Sequence, residues 1–471
     1  MTRARPLTPL SGPNAGAARE PLPGPPGGPL AALGGATLSR RRLLTGGLLG
    51  GLAATLSGCG SVADLGGGGS ATQTVQFWNL FQGADGANLQ TMIDAAEEVV
   101  PGLGVDSTVL AWGSPYYTKL AMSSAGGRSP DMAIMHLSRL AGYAPGGLLD
   151  PFDLDLLAEF GVTEADFPEA VWRRAQYDGQ LFAVPLDTHP FIVFYDRAVA
   201  EQAGLLDAAG QLVPITSPEA FLDAGRALAG VTGGTGVAYG FQGDTGQQWR
   251  LFYALYCQAA GELDLSGGSV EIDTDAATSV VDLVRTMLDG TIADPSASYQ
   301  AALADFTSGR AGMILSGEWE LPALAASIED LGASPFPTLF ETPANYADSH
   351  AFVLPHQDSP DPATRRETHQ AVAELLRQSL TWAEAGHIPA YTPVLDEPGY
   401  ADLKPQSDYA AAAEVVVFDP AAWFTGAGSN FQAQCSTALT RGYTGAATSQ
   451  EAVADLVDVF DQMLDLPDPE A

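Results

Sequence analysis

Apolar and polar positions alternate with two different periods over residues 74–136. Residues 74–79 alternate one by one, as in a strand, and apolar positions at 89, 92, 93, 96 and 99 then share one face of a helix. Residues 105–110 and 131–135 have strand patterns again, with a helical pattern at 117–124 between them. Strands that alternate with helices predict an α/β fold with a mostly parallel sheet.

Aromatic and polar side chains stand at the ends of these predicted strands. Trp78 and Asn79 end the first strand, Trp112 follows the second, and His136 follows the third. Ligands of parallel sheets bind beyond the carboxyl ends of the strands. We therefore expect these four residues at the mouth of a binding site.

Residues 178–204 indicate a crossing between two lobes. A short apolar run ends at Pro185, because proline offers no N–H to a sheet, and a second apolar run begins at Phe191. The polar stretch between them contains Asp187, Thr188 and His189. Two strands joined by such a crossover predict a chain that leaves one α/β lobe and enters another, and ligands favour the crease between lobes. On this segment alone, a turn capped by Asp187 and His189 is an equally good interpretation.

The rest of the chain continues the strand and helix patterns. A strand at 311–315 is followed by Ser316-Gly317-Glu318-Trp319, and Trp249 lies near the start of a helix. The other predicted elements are a strand at 237–240 and helices at 247–253, 275–288 and 301–309. Two more helices are predicted from their start signals, which are Ser-Pro at 217–218 and a Thr-x-x-Glu capping box at 448–451.

Several blocks of the sequence resemble one protein family, in the family's order, over about residues 73–467. That family is the carbohydrate-binding extracellular solute-binding proteins of ABC importers, in the group similar to maltose-binding protein. The blocks are FWNLFQGADG, LAWGSPYYTKL, GGRSPDMAIMH, the crossing at 178–204, FTSGRAGMILSGEWEL, PFPT with ADSHAFVLP, and AGHIPAYTPVLD.

The resemblance implies an α/β, two-lobed periplasmic-binding-protein-like fold of type II, with an inter-lobe hinge and multiple crossovers. Under this interpretation residues 73–186 and 350–398 form lobe 1, and residues 187–349 and 399–471 form lobe 2. Residues 59–72 are a flexible, glycine-rich tether. Residues 1–58 are a signal region.

The resemblance also implies which side chains meet the ligand. Trp112 and Trp319 are expected to stack on sugar rings, since an indole face packs against the C–H face of a pyranose. Glu318 either accepts hydrogen bonds from hydroxyl groups or only stabilises a helix N-terminus. His350 either contacts the ligand or packs in the hinge. The full expected set is Trp78, Asn79, Trp112, His136, Asp187, Thr188, His189, Trp249, Glu318, Trp319, Ser349, His350, Tyr391 and Trp423.

The N-terminal segment predicts export and lipidation. Arginines at 40–42 precede a short apolar run, the pattern of a twin-arginine signal and too short for a comfortable membrane span. The string Leu56-Ser57-Gly58-Cys59 resembles a bacterial lipobox, which implies a diacylglycerol on Cys59 and a location on the outer face of the cytoplasmic membrane.

Composition removes several classes of function. A formal net charge of −35 argues against nucleic-acid binding, which requires a basic face. No GxxxxGK[ST] motif for ATP and no CxxC or HExxH spacing is present, so we expect no cofactor and no metal site. Whether Cys257 and Cys435 form a disulfide stays open, because sequence does not give the distance between them.

We therefore expect a lipid-anchored, monomeric receptor that captures a carbohydrate between two lobes and delivers it to the membrane subunits of an ABC importer. Two alternatives stay open. One is an exported glycoside hydrolase that uses a carboxylate pair such as Asp187 and Glu318. The other is the same fold with a polyol or a peptide as its ligand.

Overall fold

A computed structural model describes residues 74–265 and 268–467. The signal region, Cys59 and the tether lie outside these residues. The strands in the described part of the chain are β1 Thr74–Asn79, β2 Gly104–Val109, β3 Met132–His136, β4 Leu149–Asp150, β5 Gln176–Tyr177, β6 Gln180–Leu181, β7 Ala183–Pro185, β8 Asp187–Asp196, β9 Thr235–Ala238, β10 Ala311–Gly317, β11 Leu331–Pro335, β12 Asn345–Asp348, β13 His350–Pro355, β14 Ile388–Pro389 and β15 Val416–Val417.

Helices alternate with these strands along the described chain. Their bounds are α1 Gly83–Val99, α2 Ser114–Ala125, α3 Leu154–Glu159, α4 Glu169–Arg174, α5 Arg197–Gln202, α6 Pro218–Thr232, α7 Gln247–Ala260, α8 Thr274–Met287, α9 Tyr299–Thr307, α10 Leu321–Ala325, α11 Pro362–Arg377, α12 Ser379–Glu384, α13 Thr392–Leu395, α14 Pro398–Asp402, α15 Asn430–Tyr443 and α16 Ser449–Leu464. Among the described helices, none is long and apolar enough to span a lipid bilayer.

Two mixed sheets form the two lobes of the predicted α/β fold. The first has the order β2-β1-β3-β13-β4, with β7 also paired to β13; β2, β1 and β3 are parallel and β13 is antiparallel to its neighbours. The second has the order β15-β12-β8-β10-β9, with β11 and β14 also paired to β8. Each sheet has its own apolar core, which is the expected packing of a two-lobed α/β protein.

In the described part of the chain, the path passes between the sheets at Leu186 and at Ser349, which are adjacent, and a third time between β13 and β14. Leu186 links β7 to β8, and its backbone N–H donates to the carbonyl oxygen of His350 at 2.7 Å. Ser349 links β12 to β13, and its carbonyl oxygen accepts from the N–H of Leu137 at 2.9 Å. Polar side chains are thereby brought to the line on which the two lobes join.

Sequence patterns predicted most of these elements, and the structure differs from the prediction in two details. The polar stretch after Pro185 was expected to be a crossover, but Asp187 already begins the strand β8, because β12 and β14 pair with its first residues. The segment Ile388–Pro389 was expected in lobe 1, but it pairs with β8 of the second sheet. The remaining lobe boundaries stay a prediction.

The two cysteines of the described chain are separate thiols. Cys257 in α7 and Cys435 in α15 are both buried and unpaired. Burial raises the pKa of both thiols above the usual range, so they remain protonated at neutral pH. They act as small apolar residues of the second lobe's core.

Candidate functional site

A cleft with a volume of about 440 Å³ lies where the two sheets meet. Its walls come from loops that follow strands of both sheets. From the first sheet it receives Asp85 after β1, Trp112 after β2 and His136 at the end of β3. The carboxyl ends of these parallel strands therefore do form one side of the cleft. The segments after β9 and β10 supply much of the other side, including Arg250 in the first turn of α7 and Trp319 after β10.

Trp319 forms one aromatic wall, and its neighbours fix its position. Its Nε1 donates to the hydroxyl oxygen of Tyr299 at 3.0 Å, and the guanidinium of Arg250 lies 5.1 Å from the centre of its ring. A Cβ atom at Gly317 would lie only 1.9 Å from the indole, so the ring folds back over this glycine. The half-buried indole is thus held in a fixed position at the edge of the cleft.

Trp112 forms an aromatic wall on the first lobe. It is 46% exposed, an unusual value for the largest side chain of a folded protein. The tip of its ring lies 3.8 Å from the position that a Cβ atom of Gly428 would occupy. Ser114 at the start of α2 donates to the carbonyl oxygen of Gly428 at 3.3 Å, so the loop that contains Gly428 supports this wall.

Arg250 is the principal cation of the cleft. Its guanidinium makes no hydrogen bond or ion pair with any other residue in the described ranges, and its main contact is the Trp319 ring. The nearby carboxylate of Asp244 accepts instead from the N–H groups of Gly246 and Gln247, at 2.7 and 2.8 Å, at the start of helix α7. The donors of Arg250 are therefore free to bind a ligand.

Asp187 organises the floor of the cleft and is completely buried. Its carboxylate accepts from Nδ1 of His189 at 3.0 Å, from Nδ1 and the backbone N–H of His350, both at 2.8 Å, and from Nε1 of Trp382 at 2.7 Å. Burial alone would raise the pKa of Asp187, but His350 and His189 hold this pKa well below its usual value. Asp187 is therefore an ionised carboxylate that joins β8 to β13.

A second buried group lies beside Asp187. Glu318 Oε1 is 2.8 Å from His387 Nδ1, and His387 Nε2 is 3.3 Å from the carboxylate of Asp85. Burial raises the pKa of Glu318 to about 7, although His387 opposes this shift. Burial lowers the pKa of His387, but Asp85 and Glu318 together raise this pKa well above its usual value. The group links a helix of the first lobe to the end of β10 in the second.

The residues predicted for the site fall into three groups. Some of them line the cleft: Trp112, His136, His189, Trp319 and His350. Others are buried directly behind its wall: Asp187, Thr188, Glu318 and Ser349. The structure places the rest away from the cleft: Trp78, Asn79, Trp249, Tyr391 and Trp423.

Packing explains why the last group lies elsewhere. Trp249 is fully buried in the second lobe, where it stacks on Tyr253 and donates to Asp419 at 2.7 Å. Trp78 packs under the ammonium group of Lys119 on the outer side of the first lobe.

The other three residues of that group also have structural partners. Asn79 is buried, donates to Ser107 and accepts from the N–H of Phe81. Tyr391 is buried in the first lobe's core, and Trp423 packs against the second lobe's core.

Several lining residues were missed by the sequence analysis. They are Asp85, Asp244, Arg250, Tyr299, Tyr346, Asp348, His387 and Gln432. Asp85 and Arg250 lie in the first turns of helices that follow strands β1 and β9. This position after a strand could have identified them as cleft residues. His387 stood inside the block AGHIPAYTPVLD, but only long-range pairing of β14 with β8 shows that it faces the cleft.

The fold is similar to that of solved sugar-binding proteins. The GacH receptor of Streptomyces glaucescens, solved unliganded and with acarbose, has a TM-score of 0.68 and 19% identity over 83% of this chain and 98% of its own. A substrate-binding protein of an ABC transporter from Listeria monocytogenes, solved with cycloalternan, has a TM-score of 0.68 and 15% identity over 84% of this chain and 99% of its own.

A third solved protein gives a similar result. The maltose-maltodextrin binding protein of Alicyclobacillus acidocaldarius has a TM-score of 0.64 and 18% identity over 82% of this chain and all of its own. At these identities the likeness establishes the two-lobed fold. No curated protein matches the chain.

The sequence itself matches one family over more than half of its length. The family's members bind solutes and are not enzymes, so the match removes support from the hydrolase alternative. Residues 113–366 match the family described as bacterial extracellular solute-binding protein, and the chain therefore belongs to the bacterial extracellular solute-binding proteins.

Proposed function

We propose that this receptor binds a carbohydrate in the cleft between its lobes and delivers it to an ABC importer. The observation that carries the proposal is the pair of aromatic walls. Trp112, which is 46% exposed, and the half-buried Trp319 line one cleft from different lobes. Aromatic faces that flank a polar cleft fit the alternating C–H faces and hydroxyl groups of a sugar.

Hydrogen-bonding groups between these walls support the same ligand class. The guanidinium of Arg250, the rings of His136 and His189 and the carboxylates of Asp85 and Asp348 all line the cleft. A sugar hydroxyl both donates and accepts, so it satisfies cations and carboxylates alike. A site built in this way rejects an analogue that lacks a hydroxyl, because a buried polar group is then left unpaired. The solved proteins with acarbose and cycloalternan are consistent with a carbohydrate ligand.

The proposal extends to anchoring and transport. Cys59 in the lipobox string carries a diacylglycerol, and residues 59–72 tether the receptor to the outer face of the membrane. Ligand binding closes the lobes about the crossings at Leu186 and Ser349, as in other hinged binding proteins. The closed form presents both lobes to the importer's membrane subunits.

A thermal-shift screen against neutral mono- and oligosaccharides tests the ligand class. A ligand at 100 times its Kd stabilises the folded protein by about 2.7 kcal/mol, which gives a measurable shift. Trp112→Ala and Trp319→Ala should each abolish or reduce the shift. Tyr177→Ala is the matched control, since Tyr177 is 44% exposed and lies outside the cleft.

Two outcomes would contradict the proposal. The first is a panel without any sugar-induced shift, together with a shift from a polyol or a peptide. The second is a shift of equal size in Trp112→Ala, Trp319→Ala and Tyr177→Ala. Recovery of a cleaved sugar after incubation would restore the hydrolase alternative.

A further inference from the structure

Four of the chain's six histidines lie together at the floor of the cleft. The rings of His136, His189 and His350 are within 5.3 Å of one another, measured between centroids, and the His387 ring is 5.5 Å from that of His350. One nitrogen from each of His189, His350 and His387 and one oxygen of Asp187 all lie within 4.8 Å of one another, and all four side chains are buried. Wide separation in the sequence conceals this group.

The distances around Asp187 are those of a compact ligand set. Its oxygens lie 3.0 Å from Nδ1 of His189, 2.8 Å from Nδ1 of His350 and 3.5 Å from Nδ1 of His387. Donors bound to one tetrahedral metal ion at about 2.0–2.1 Å stand roughly 3.4 Å apart. The two distances to Oδ2, 2.8 Å from His350 and 3.5 Å from His387, bracket this value, whereas His189 contacts Oδ1. The full set extends to 4.8 Å, so a single ion would require its side chains to draw closer together.

A second observation points independently to a missing partner. Both oxygens of Glu318 and both ring nitrogens of His387 are buried without a hydrogen bond among the described residues. The 2.8 Å approach of these two side chains lacks hydrogen-bond geometry. A buried carboxylate without a hydrogen bond is costly, and a metal ion at this point would compensate Glu318.

The surroundings of the group also resemble those of a metal site. Trp382 Nε1 and the backbone N–H of His350 donate to Asp187 and fix the plane of its carboxylate, as outer partners of metal ligands do. Asp187, Glu318 and Asp85 supply three carboxylates, each within 3.5 Å of a His387 ring nitrogen.

We propose that Asp187, His189, His350 and His387 bind one divalent first-row metal ion, with Zn²⁺ as the best-fitting ion and Glu318 beside it. Imidazole with carboxylate suits Zn²⁺, Ni²⁺ and Cu²⁺, whereas Mg²⁺ and Ca²⁺ require oxygen ligands. The ion enters through the cleft, because the three histidines line it. His350 begins β13 of one sheet while Asp187 and His189 belong to β8 of the other, so the ion joins the two lobes. The inference holds whatever solute the cleft binds.

The test is a zinc titration of the purified protein by calorimetry, after removal of any histidine tag and dialysis against a chelator. Saturable binding of one Zn²⁺ per chain is expected, with no response to Mg²⁺. His387→Gln should weaken Zn²⁺ binding by roughly tenfold or more. His356→Gln is the matched control, since this side chain is 39% exposed and lies outside the group. It should bind Zn²⁺ like the wild type.

Cobalt spectroscopy on the unmodified chain keeps the test valid if His387→Gln fails to fold. Co²⁺ held by these nitrogen and oxygen donors in four-coordinate geometry gives intense visible absorption, and Zn²⁺ should abolish it. Weak absorption of six-coordinate Co²⁺ would overturn the proposal. So would the absence of saturable Zn²⁺ binding, or equal Zn²⁺ affinity in the wild type and His387→Gln. The histidines would then serve only as hydrogen-bond donors to Asp187.

Discussion

Replacement of Asp187 by asparagine should strongly destabilise the fold. The carboxylate accepts hydrogen bonds from His189, from Nδ1 and the backbone of His350, and from Trp382, in a site with no exposure to solvent. An asparagine retains one acceptor oxygen and turns an amide group toward donors. Loss of one partner of a buried charged group costs about 3–5 kcal/mol, a large share of the roughly 5–15 kcal/mol that stabilises a typical domain.

Urea unfolding in the presence of a chelator measures this effect without any contribution from metal. Asp150→Asn is the matched control, because Asp150 also has a histidine and an arginine as partners, but its side chain is 23% exposed. Solvent screens such pairs, so the control should lose no more than about 1 kcal/mol. Equal losses in Asp187→Asn and Asp150→Asn, or a loss below about 1 kcal/mol in the first, would refute the assignment of Asp187 as the organising group of the hinge.

Three further predictions address the wall, the second lobe and the anchor. Gly317→Ala places a methyl group against the Trp319 ring and should weaken sugar binding by about 1 kcal/mol, measured by calorimetry, without loss of folding; unchanged affinity would contradict the proposed stacking role. Burial raises the pKa of Asp419 to about 6, so its stabilising contribution is complete near pH 4 and is lost as the pH rises through 6. Urea unfolding should therefore show a larger loss of stability between pH 4.5 and pH 7.5 in the wild type than in Asp419→Asn, by about 2 kcal/mol, and parallel changes would count against the buried acid. Cys59→Ser should move the protein from the membrane fraction of its host to the soluble fraction, as seen by immunoblot, and persistent membrane association would argue against the lipid anchor.

Local patterns predicted most elements of the fold because they depend on neighbours in the chain. Strand β1 lies where the alternation of residues 74–79 placed it, and the capping box at Thr448 and Glu451 starts helix α16. The start of β8 was missed for the opposite reason. Its polar residues are stabilised by distant partners such as His350 and by pairing with β12, neither of which a local pattern can reveal.

The part of the candidate site that could be predicted from sequence is the part formed by residues at the ends of strands. Trp112, His136 and Trp319 follow predicted strands, and each lines the cleft. Trp249 illustrates the limit of this reasoning, since it shares an apolar helix face with neighbouring aromatic residues and is buried in the core. His387 illustrates the reverse case, because its role depends on a short strand pairing between residues about 200 positions apart.

Calorimetric titration of the purified protein with the sugar identified by the thermal screen tests the central claim most directly. The account predicts one bound sugar per chain, recovered unchanged, with binding lost in the double variant Trp112→Ala/Trp319→Ala and retained in Tyr177→Ala. Binding of the same strength in the double variant would contradict the account, because the ligand would then lie outside the cleft between the two aromatic walls.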